Sequence, residues 1–294
     1  MKLKLLVLAV GAAASVVGAL ASPVPSLPGG PLYIKFDNRE QIAVAGNTGF
    51  ANEINWGVLL VSTINHGSVT GLNTIETTGA AFFNNISGGG QITGIFYGVE
   101  GLPPGTGGNP FPATKGFLDL YYRDLSTMST TDISTALPGA RTAQDKATGF
   151  TEGTLLAHLS FASGINTTDA TVFINGSLVP SSGTGFIGVA TSYANVTDTN
   201  GDAVINSADG AYAAKLNTDY FVTPFGTRDL RFRNLYEELA SWSDLSGCAT
   251  GGSCRLGARS SDPATAFAIP EPGSLALIGF GLLGVAAIRR RRID

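Results

Sequence analysis

The sequence predicts an all-β protein built around a single β-sandwich-like domain. Three observations support this fold class. Charged residues make up only 14% of the 294 residues, so Gly, Ser, Thr and Asn supply most of the polarity, as is typical of turn-rich extracellular β proteins. Short runs of β-branched and aromatic residues recur between turn signals. Helical periodicity is rare along the chain, and serial strands with few helices favour two packed sheets.

The N-terminus predicts a signal peptide at residues 1–21. Lys2 and Lys4 form a positive region, residues 5–17 are apolar, and residues 19–21 (Ala-Leu-Ala) form a small-x-small cleavage site. We expect signal peptidase to cleave there, and an uncleaved anchor is the alternative. Residues 22–31 are rich in Pro and Gly and predict a leader linker.

Residues 32–247 are predicted to form the β-sandwich-like domain, and no repeat of 20–50 residues indicates a solenoid. Between turn signals, the pattern predicts strands at 32–36, 41–45, 54–64, 91–99, 116–122, 154–161, 170–174, 186–193, 220–223 and 230–233. Residues 234–244 predict a short helix with Leu235, Leu239 and Trp242 on one face.

The two cysteines, Cys248 and Cys254, are separated by five residues that include two glycines. In an exported protein such thiols oxidise, so we expect a local disulfide that contributes about 2 kcal/mol. Residues 248–268 are predicted to be a cysteine loop and a tether, because residues 256–268 are rich in Ala and Ser and contain Pro263.

The last 26 residues, 269–294, predict a membrane-embedded tail. Pro270 and Pro272 lack a backbone N–H and fix the start of a helix. The uncharged residues 273–288 span about 24 Å as a helix, which is short for a bilayer core of about 30 Å. The four arginines 289–292 (Arg289, Arg290, Arg291, Arg292) would stop the span and favour a cytoplasmic end. A plain C-terminal anchor is the simplest interpretation on physical grounds alone.

The Pro-Glu-Pro sequence at Pro270, Glu271 and Pro272, followed by the apolar span and the arginines, resembles the PEP-CTERM sorting domain of exosortase substrates. The resemblance implies that exosortase recognises these three residues and cleaves near them. It also implies transient anchoring in the inner membrane, followed by delivery to the cell envelope or the extracellular matrix. Proteins of this family occur in Gram-negative bacteria that make exopolysaccharide, which would be a further partner.

Three short segments of the body resemble flocculation-associated PEP-CTERM proteins. They are residues 55–57 (Asn-Trp-Gly) with the strand that follows, residues 153–156 (Gly-Thr-Leu-Leu) and residues 216–218 (Leu-Asn-Thr). This resemblance implies a role in cell aggregation with matrix polysaccharide.

The charge balance argues against nucleic acid as a partner. Removing residues 1–21 and 270–294 leaves twelve basic and twenty acidic residues, a formal net charge of −8. A surface that binds phosphates needs a basic patch, and the sequence contains none.

Residues 198–209 resemble the calcium loop of dockerins, with oxygen ligands at loop positions 1, 3, 5 and 12. Asp198, Asn200, Asp202 and Asp209 would donate side-chain oxygens, and Val204 would donate its carbonyl oxygen. Ala203 replaces the glycine that the loop normally has at position 6, which costs on the order of 1 kcal/mol if φ is positive. A plain hairpin turn at residues 200–201 (Asn-Gly) is the alternative.

The sequence shows no catalytic constellation, so we expect a protein that is not an enzyme. Neither histidine lies near a Gly-x-Ser-x-Gly elbow; His158 is expected to be a satisfied strand residue, and His66 to lie in a turn. The carboxylates Asp119, Asp124 and Glu152 are the weak candidates for hydrolysis.

Three functions follow from these features. The first is an exported envelope or matrix protein that supports surface association, floc or biofilm. The second is a carbohydrate-binding module in which exposed Tyr97, Tyr121 and Tyr122 stack on sugars, and the third is a secreted hydrolase.

Overall fold

The computed structural model describes residues 24–101, 111–181 and 185–269. Fifteen strands are described: β1 (Gly30–Ala45), β2 (Glu53–Gly71), β3 (Thr74–Asn84), β4 (Gly90–Glu100), β5 (Phe111–Ala113), β6 (Phe117–Asp124), β7 (Arg141–Ala143), β8 (Lys146–Ala147), β9 (Thr154–Ala162), β10 (Ile174–Ser181), β11 (Gly185–Val196), β12 (Phe221–Thr223), β13 (Gly226–Arg228), β14 (Leu230–Glu238) and β15 (Cys254–Ala268). The helices are short: α1 (Ala213–Leu216), α2 (Ser246–Thr250) and four one-turn 3₁₀ helices at Ser87–Gly89, Ile133–Thr135, Pro138–Ala140 and Ala240–Trp242.

One large antiparallel sheet forms the body, which confirms the predicted all-β, sandwich-like class. Eight strands pair in the order β14-β15-β1-β2-β4-β6-β9-β11. Strand β11 also pairs with β14, from Ile187↔Glu237 to Ala194↔Leu230, so the eight strands form a closed ring. Strands β3, β10 and β5 extend this ring as side branches. Closure gives the sheet an inner and an outer face.

Because side chains alternate between the two faces of a strand, every second residue of a ring strand points to the inner face. In β1, Leu32, Ile34 and Phe36 are buried, while their neighbours Tyr33 and Lys35 are more exposed. The main hydrophobic core combines these residues with inward-facing aliphatic and aromatic side chains from the other ring strands. The buried apolar area is therefore enclosed by the ring itself.

One end of the ring, the sealed end, is filled and covered by apolar side chains. Leu27 from the segment before β1 and Leu216 from α1 both join the main core. The Tyr212 hydroxyl donates to the Pro25 carbonyl at 2.6 Å, and the Ile269 N–H donates to the Lys215 carbonyl at 3.0 Å. These bonds hold the covering segments against the ring.

A second apolar cluster lies on the outer face of β2 and β4. The Trp56 and Trp242 rings are 5.3 Å apart, and Ile133 and Phe150 from the 125–150 segment cover them. Gly57 is required beside them, because a Cβ there would lie 2.4 Å from the Arg39 carbonyl oxygen. Packing therefore accounts for the Trp-Gly pair at residues 56–57.

The predicted helix at residues 234–244 is wrong. Strand β14 continues through Glu238, and a 3₁₀ turn at Ala240–Trp242 follows. The spacing suggested one helical face, but Leu235 is 61% exposed while Trp242 is fully buried. Phe232 and Tyr236 are both buried and lie on the same face of a strand, so their burial favours the extended conformation of β14.

The predicted tether at residues 256–268 is also wrong, because β15 occupies Cys254–Ala268 and lies between β1 and β14. Its inward residues Ala258, Ala264 and Ala266 are buried, so the small side chains fit the ring interior. The β14 ladder is interrupted between Ala264 and Ser260, the interval that contains Pro263, which has no N–H to donate. The domain therefore extends beyond the predicted 32–247.

The structure also differs from the predicted strands and turns elsewhere. The segments 32–36 and 41–45 are one continuous strand, β1. Residues 170–173 form a turn region before β10, and strand β3 was not predicted. His66 lies within β2 and not in a turn.

Candidate functional site

The end of the ring opposite the sealed end, here called the open end, contains a cavity of about 50 Å³. Its polar lining consists of Asn38, Glu40, Asn55, Ser192 and Asn234. Asn38, Glu40 and Ser192 are buried, whereas Asn55 and Asn234 are half-buried. The polar side chains thus run from the closed interior towards the solvent.

Strand register brings these polar residues together. Asn38 of β1 lies opposite Ser260 of β15 and Leu59 of β2. Asn234 of β14 lies opposite Ala190 of β11, where the ring closes. Asn38 follows the inward-facing Phe36 by two positions, and Asn234 follows Phe232 in the same way, so both side chains point into the same interior.

Three amide atoms in this lining have no hydrogen-bond partner among the described residues. They are Asn38 Nδ2, Asn55 Oδ1 and Asn234 Oδ1. The companion atoms of the first two amides are used: the Ser260 hydroxyl donates to Asn38 Oδ1 at 2.6 Å, and Asn55 Nδ2 donates to the Glu40 carboxylate at 3.0 Å. Buried amide groups normally find partners, so the cavity offers unused donors and acceptors.

Aromatic rings form the apolar wall of the same cavity. Phe36, Phe96, Phe161 and Phe232 line it. The Phe232 ring meets Phe36 at 6.4 Å and Phe161 at 6.0 Å between centroids, both edge to face. The cavity therefore combines a polar side with an aromatic side, the usual composition of a small-molecule site.

A buried ion pair supports the open end from outside. Arg141 donates from Nη1 and Nη2 to the two Glu53 oxygens at 2.6 and 2.7 Å, and both side chains are buried. The guanidinium lies 4.4 Å from the ring centroids of Phe50 and Trp56. The Gly98 N–H also donates to Glu53, at 2.7 Å. These contacts attach the 125–150 segment to the start of β2.

The predicted disulfide between Cys248 and Cys254 is confirmed, with the two Cα atoms 4.9 Å apart. Cys248 lies in α2 and Cys254 begins β15, opposite Ala45 at the end of β1. The disulfide is therefore a second support at the open end.

The tyrosines predicted to stack on sugars do not form an exposed platform, so this part of the prediction is wrong. Tyr122 is buried in the main core, and Tyr121 is only 8% exposed. Tyr97 is half-buried on the outer face, where its hydroxyl donates to Asp119 at 3.3 Å. Burial, and then the Asp119 charge, raise the pKa of Tyr97.

His158 occupies the satisfied position that its strand pattern predicted. Its Nδ1 pairs with the Asp119 carboxylate, and its ring stacks on Phe117 with centroids 5.4 Å apart. The second histidine, His66, packs near Phe82 at 5.8 Å. The two histidines therefore lie in separate packing environments.

The other carboxylates weighed for hydrolysis have structural partners. Glu152 forms an ion pair with Arg123 at 2.5 Å and accepts the Gly149 N–H at 2.8 Å. Asp124 accepts the Ser126 N–H at 2.9 Å in the turn after β6. These contacts organise turns beside β6.

The Asp198–Asp209 loop folds around its own carboxylates. Asp198 accepts backbone N–H groups from residues 200, 201 and 203. Buried Asp209 accepts the N–H groups of Thr199 and Asn206 at 2.7 and 2.9 Å. Ala203 has a φ of 65°, the conformation that a calcium loop requires at position 6. Among the described residues, no group of three His, Cys, Asp or Glu side chains converges where a metal could bind.

The backbone of this loop fits a calcium loop better than its side chains do. The Val204 carbonyl oxygen accepts from Asn206 Nδ2 at 2.9 Å, and Asp202 accepts the Val204 N–H at 2.8 Å. Each expected ligand oxygen thus already receives a hydrogen bond from the loop.

The sorting residues Pro270, Glu271 and Pro272, arginines 289–292 and the signal peptide at 1–21 lie outside the described residues. Within the described ranges, no helix is long and apolar enough to cross a membrane. The signal peptide and the transmembrane helix therefore stay predictions.

A family model of the PEP-CTERM protein-sorting motif matches residues 268–292. The chain is therefore a PEP-CTERM domain-containing protein, and this motif is the recognition target of exosortase. The motif indicates an exported protein that is sorted through the membrane to the envelope. Comparison of the chain with curated proteins and with solved structures found no match.

Sequence analysis missed the polar residues of the open end. Asn38 and Asn234 interrupt inward-facing apolar series, as in the order Leu32, Ile34, Phe36, Asn38 along β1. That interruption is a signal that the sequence contains. The sequence does not show that these residues meet in one cavity, because this depends on the β11–β14 pairing that closes the ring.

Proposed function

We propose that this protein is a non-catalytic component of the envelope or extracellular matrix that supports surface association, floc or biofilm. The observation that carries the proposal is the sorting motif at residues 268–292, the target of exosortase. The acidic, disulfide-bonded body is in keeping with a protein that works outside the cytoplasm.

Substitution of the motif tests the sorting step. We expect Glu271→Ala to leave the uncleaved chain in the membrane fraction, whereas Glu76→Ala, an exposed residue outside the motif, is processed normally. The mass and the cellular fraction of each variant provide the readout. Normal processing of Glu271→Ala would contradict recognition through this motif.

Deletion of the gene tests the biological role. We expect reduced aggregation and reduced retention of matrix, both restored by the natural chain and not by a chain lacking residues 270–294. Unchanged aggregation and matrix retention after deletion would remove the proposal even if sorting is normal.

We also propose that calcium binds the Asp198–Asp209 loop and stiffens it outside the cell. The left-handed conformation of Ala203 supports this, since the free loop already has the backbone conformation that a calcium loop needs at position 6. Because Asp209 would have to exchange N–H partners for the cation, we expect weak binding, in the roughly 10⁻⁴–10⁻³ M range of extracellular modules.

Calorimetry of the full chain with calcium measures this binding. We expect a saturable signal that Asp198→Asn weakens and that Asp169→Asn, an exposed Asp with a similar turn role, leaves unchanged. Equal signals from both variants, or no signal from the natural chain, would assign the loop to a plain turn.

A further inference from the structure

We propose that the open-end cavity binds a neutral, hydroxyl-bearing molecule, such as the terminal unit of a sugar or polyol chain. The proposal names a ligand class for the matrix role but does not depend on sorting. It rests on three amide atoms that the fold leaves without partners, on a nearby carboxylate, and on the aromatic wall that faces them.

The fully buried Asn38 shows that the cavity reaches into the interior of the ring. Its Nδ2 has no partner among the described residues although its Oδ1 accepts from Ser260. A buried polar atom left without a hydrogen bond costs about 1–3 kcal/mol. A ligand or water that reaches Asn38 recovers that cost, so the cavity favours a polar occupant.

The mixture of unused atoms selects the chemistry of the occupant. Asn38 Nδ2 is a donor, whereas Asn55 Oδ1 and Asn234 Oδ1 are acceptors. A hydroxyl group both donates and accepts, so hydroxyls satisfy all three atoms. An ammonium group only donates and would leave Asn38 Nδ2 unsatisfied.

Charge separates neutral from acidic ligands. The buried Glu40 carboxylate is part of the lining and accepts from Asn55 Nδ2 at 3.0 Å. A ligand carboxylate or sulfate would lie close to this charge in a region shielded from water, where repulsion between like charges is strong. We therefore expect neutral sugars to bind and uronic acids to be rejected.

The aromatic wall suits the apolar face of a sugar ring. The rings of Phe96 and Phe161 are only partly buried, so they form the side of the cavity nearest the solvent. Carbon-bound hydrogens of a sugar can pack on these rings while its hydroxyls face the asparagines. Hydroxyls can also replace waters without loss of hydrogen bonds, provided that they occupy the same positions.

Calorimetry of the protein as isolated after export tests the proposal with glucose, glucuronate and ethylammonium. We expect saturable glucose binding, at least tenfold weaker glucuronate binding, and ethylammonium binding weaker than that of glucose. Equal binding of glucose and glucuronate, tighter binding of ethylammonium, or no glucose binding would each overturn the proposal.

Two matched variants locate the site. Asn234→Leu removes an unused acceptor from the cavity, and we expect it to weaken glucose binding at least tenfold. Asn195→Leu removes a similarly unpartnered Oδ1 from the same sheet, but outside the cavity lining, and should bind glucose like the natural chain. Natural glucose affinity in Asn234→Leu would overturn the assignment. The ligand comparison on the natural chain remains decisive if a variant fails to fold.

The sorting proposal and the glucose-binding proposal can be contradicted independently of each other. A chain that is processed normally and supports aggregation but binds no glucose removes only the ligand assignment. A chain that binds glucose but is not processed through Glu271 removes only the sorting proposal.

Discussion

The two ends of the closed ring are stabilised in different ways. At the sealed end, Leu27 and Leu216 cover an interior of aliphatic side chains. At the open end the interior combines polar side chains with an aromatic wall. The supports there lie outside the ring: the Glu53–Arg141 ion pair and the Cys248–Cys254 disulfide. The difference indicates that the open end keeps a polar cavity because other contacts hold its strands.

Loss of the ion pair should have the largest effect. Arg141→Ala leaves Glu53 as a buried charge without its cation, and we expect the free energy of unfolding to fall by about 3–5 kcal/mol. Urea unfolding measures the change. The control is Arg259→Ala, which breaks an ion pair with Glu237 on exposed side chains and should cost less than about 1 kcal/mol. Similar costs for both would show that the pair does not support the open end.

A cavity at the sealed end should cost nearly as much. Leu156 is fully buried in the main core, and Leu156→Ala should lower the free energy of unfolding by about 2–5 kcal/mol. The exposed Leu235 provides the control, since Leu235→Ala should change stability by less than about 0.5 kcal/mol. A small loss at Leu156 would mean that apolar packing is not what holds the sealed end.

The disulfide should have an intermediate effect. Cys248→Ser should lower the free energy of unfolding by about 2 kcal/mol, because the bridge closes a short loop. Reduction of the natural chain should give the same value in the same denaturation experiment. If reduction costs nothing, the bridge does not support the start of β15.

Removal of a cavity amide should change stability less than loss of the ion pair, of the buried Leu156 side chain or of the disulfide. Asn234→Leu replaces an unpartnered acceptor with an apolar group of similar size, which is nearly neutral or stabilising. We expect a change within about 1 kcal/mol by urea unfolding, together with the loss of glucose binding. A loss as large as that of Leu156→Ala would show that the polar cavity is needed for folding rather than for a ligand.

Acid should also weaken the loop at residues 198–209. Hydrogen bonds from the N–H groups of Asn206 and Thr199 lower the pKa of Asp209 from its usual 3.8. The stabilisation is therefore complete above the unfolded pKa and is lost as the pH falls through the folded pKa, below 3.8. We expect a lower melting temperature at pH 3 than at pH 5, and Asp209→Asn should reduce this difference. An unchanged difference in that variant would assign the acid sensitivity elsewhere.

Local patterns predicted much of the fold, but not the pairing between distant strands. The runs at residues 54–64 and 154–161 lie within β2 and β9, because alternation is a local property. Residues 256–268 were predicted as a tether, since small Ala and Ser side chains give little contrast between the two faces of a strand. Their role as strand β15 depends on pairing with β1, more than 200 residues earlier in the chain.

The sorting motif and the cavity show the same difference between local and long-range features. Pro270, Glu271 and Pro272 are contiguous, so the sequence alone predicted the motif that the family model matches. Asn38, Asn55 and Asn234 come from three strands, and only ring closure brings them to one cavity. Contiguous signals are visible in one sequence, whereas sites assembled across a sheet are not.

A crystal structure of the full chain grown with glucose would test the difference between the two ends most directly. The account predicts a glucose hydroxyl within hydrogen-bond distance of Asn38 Nδ2 and another beside Asn234 Oδ1, with the sealed end unchanged. A cavity that holds only water at saturating glucose, or glucose bound elsewhere on the surface, would contradict it.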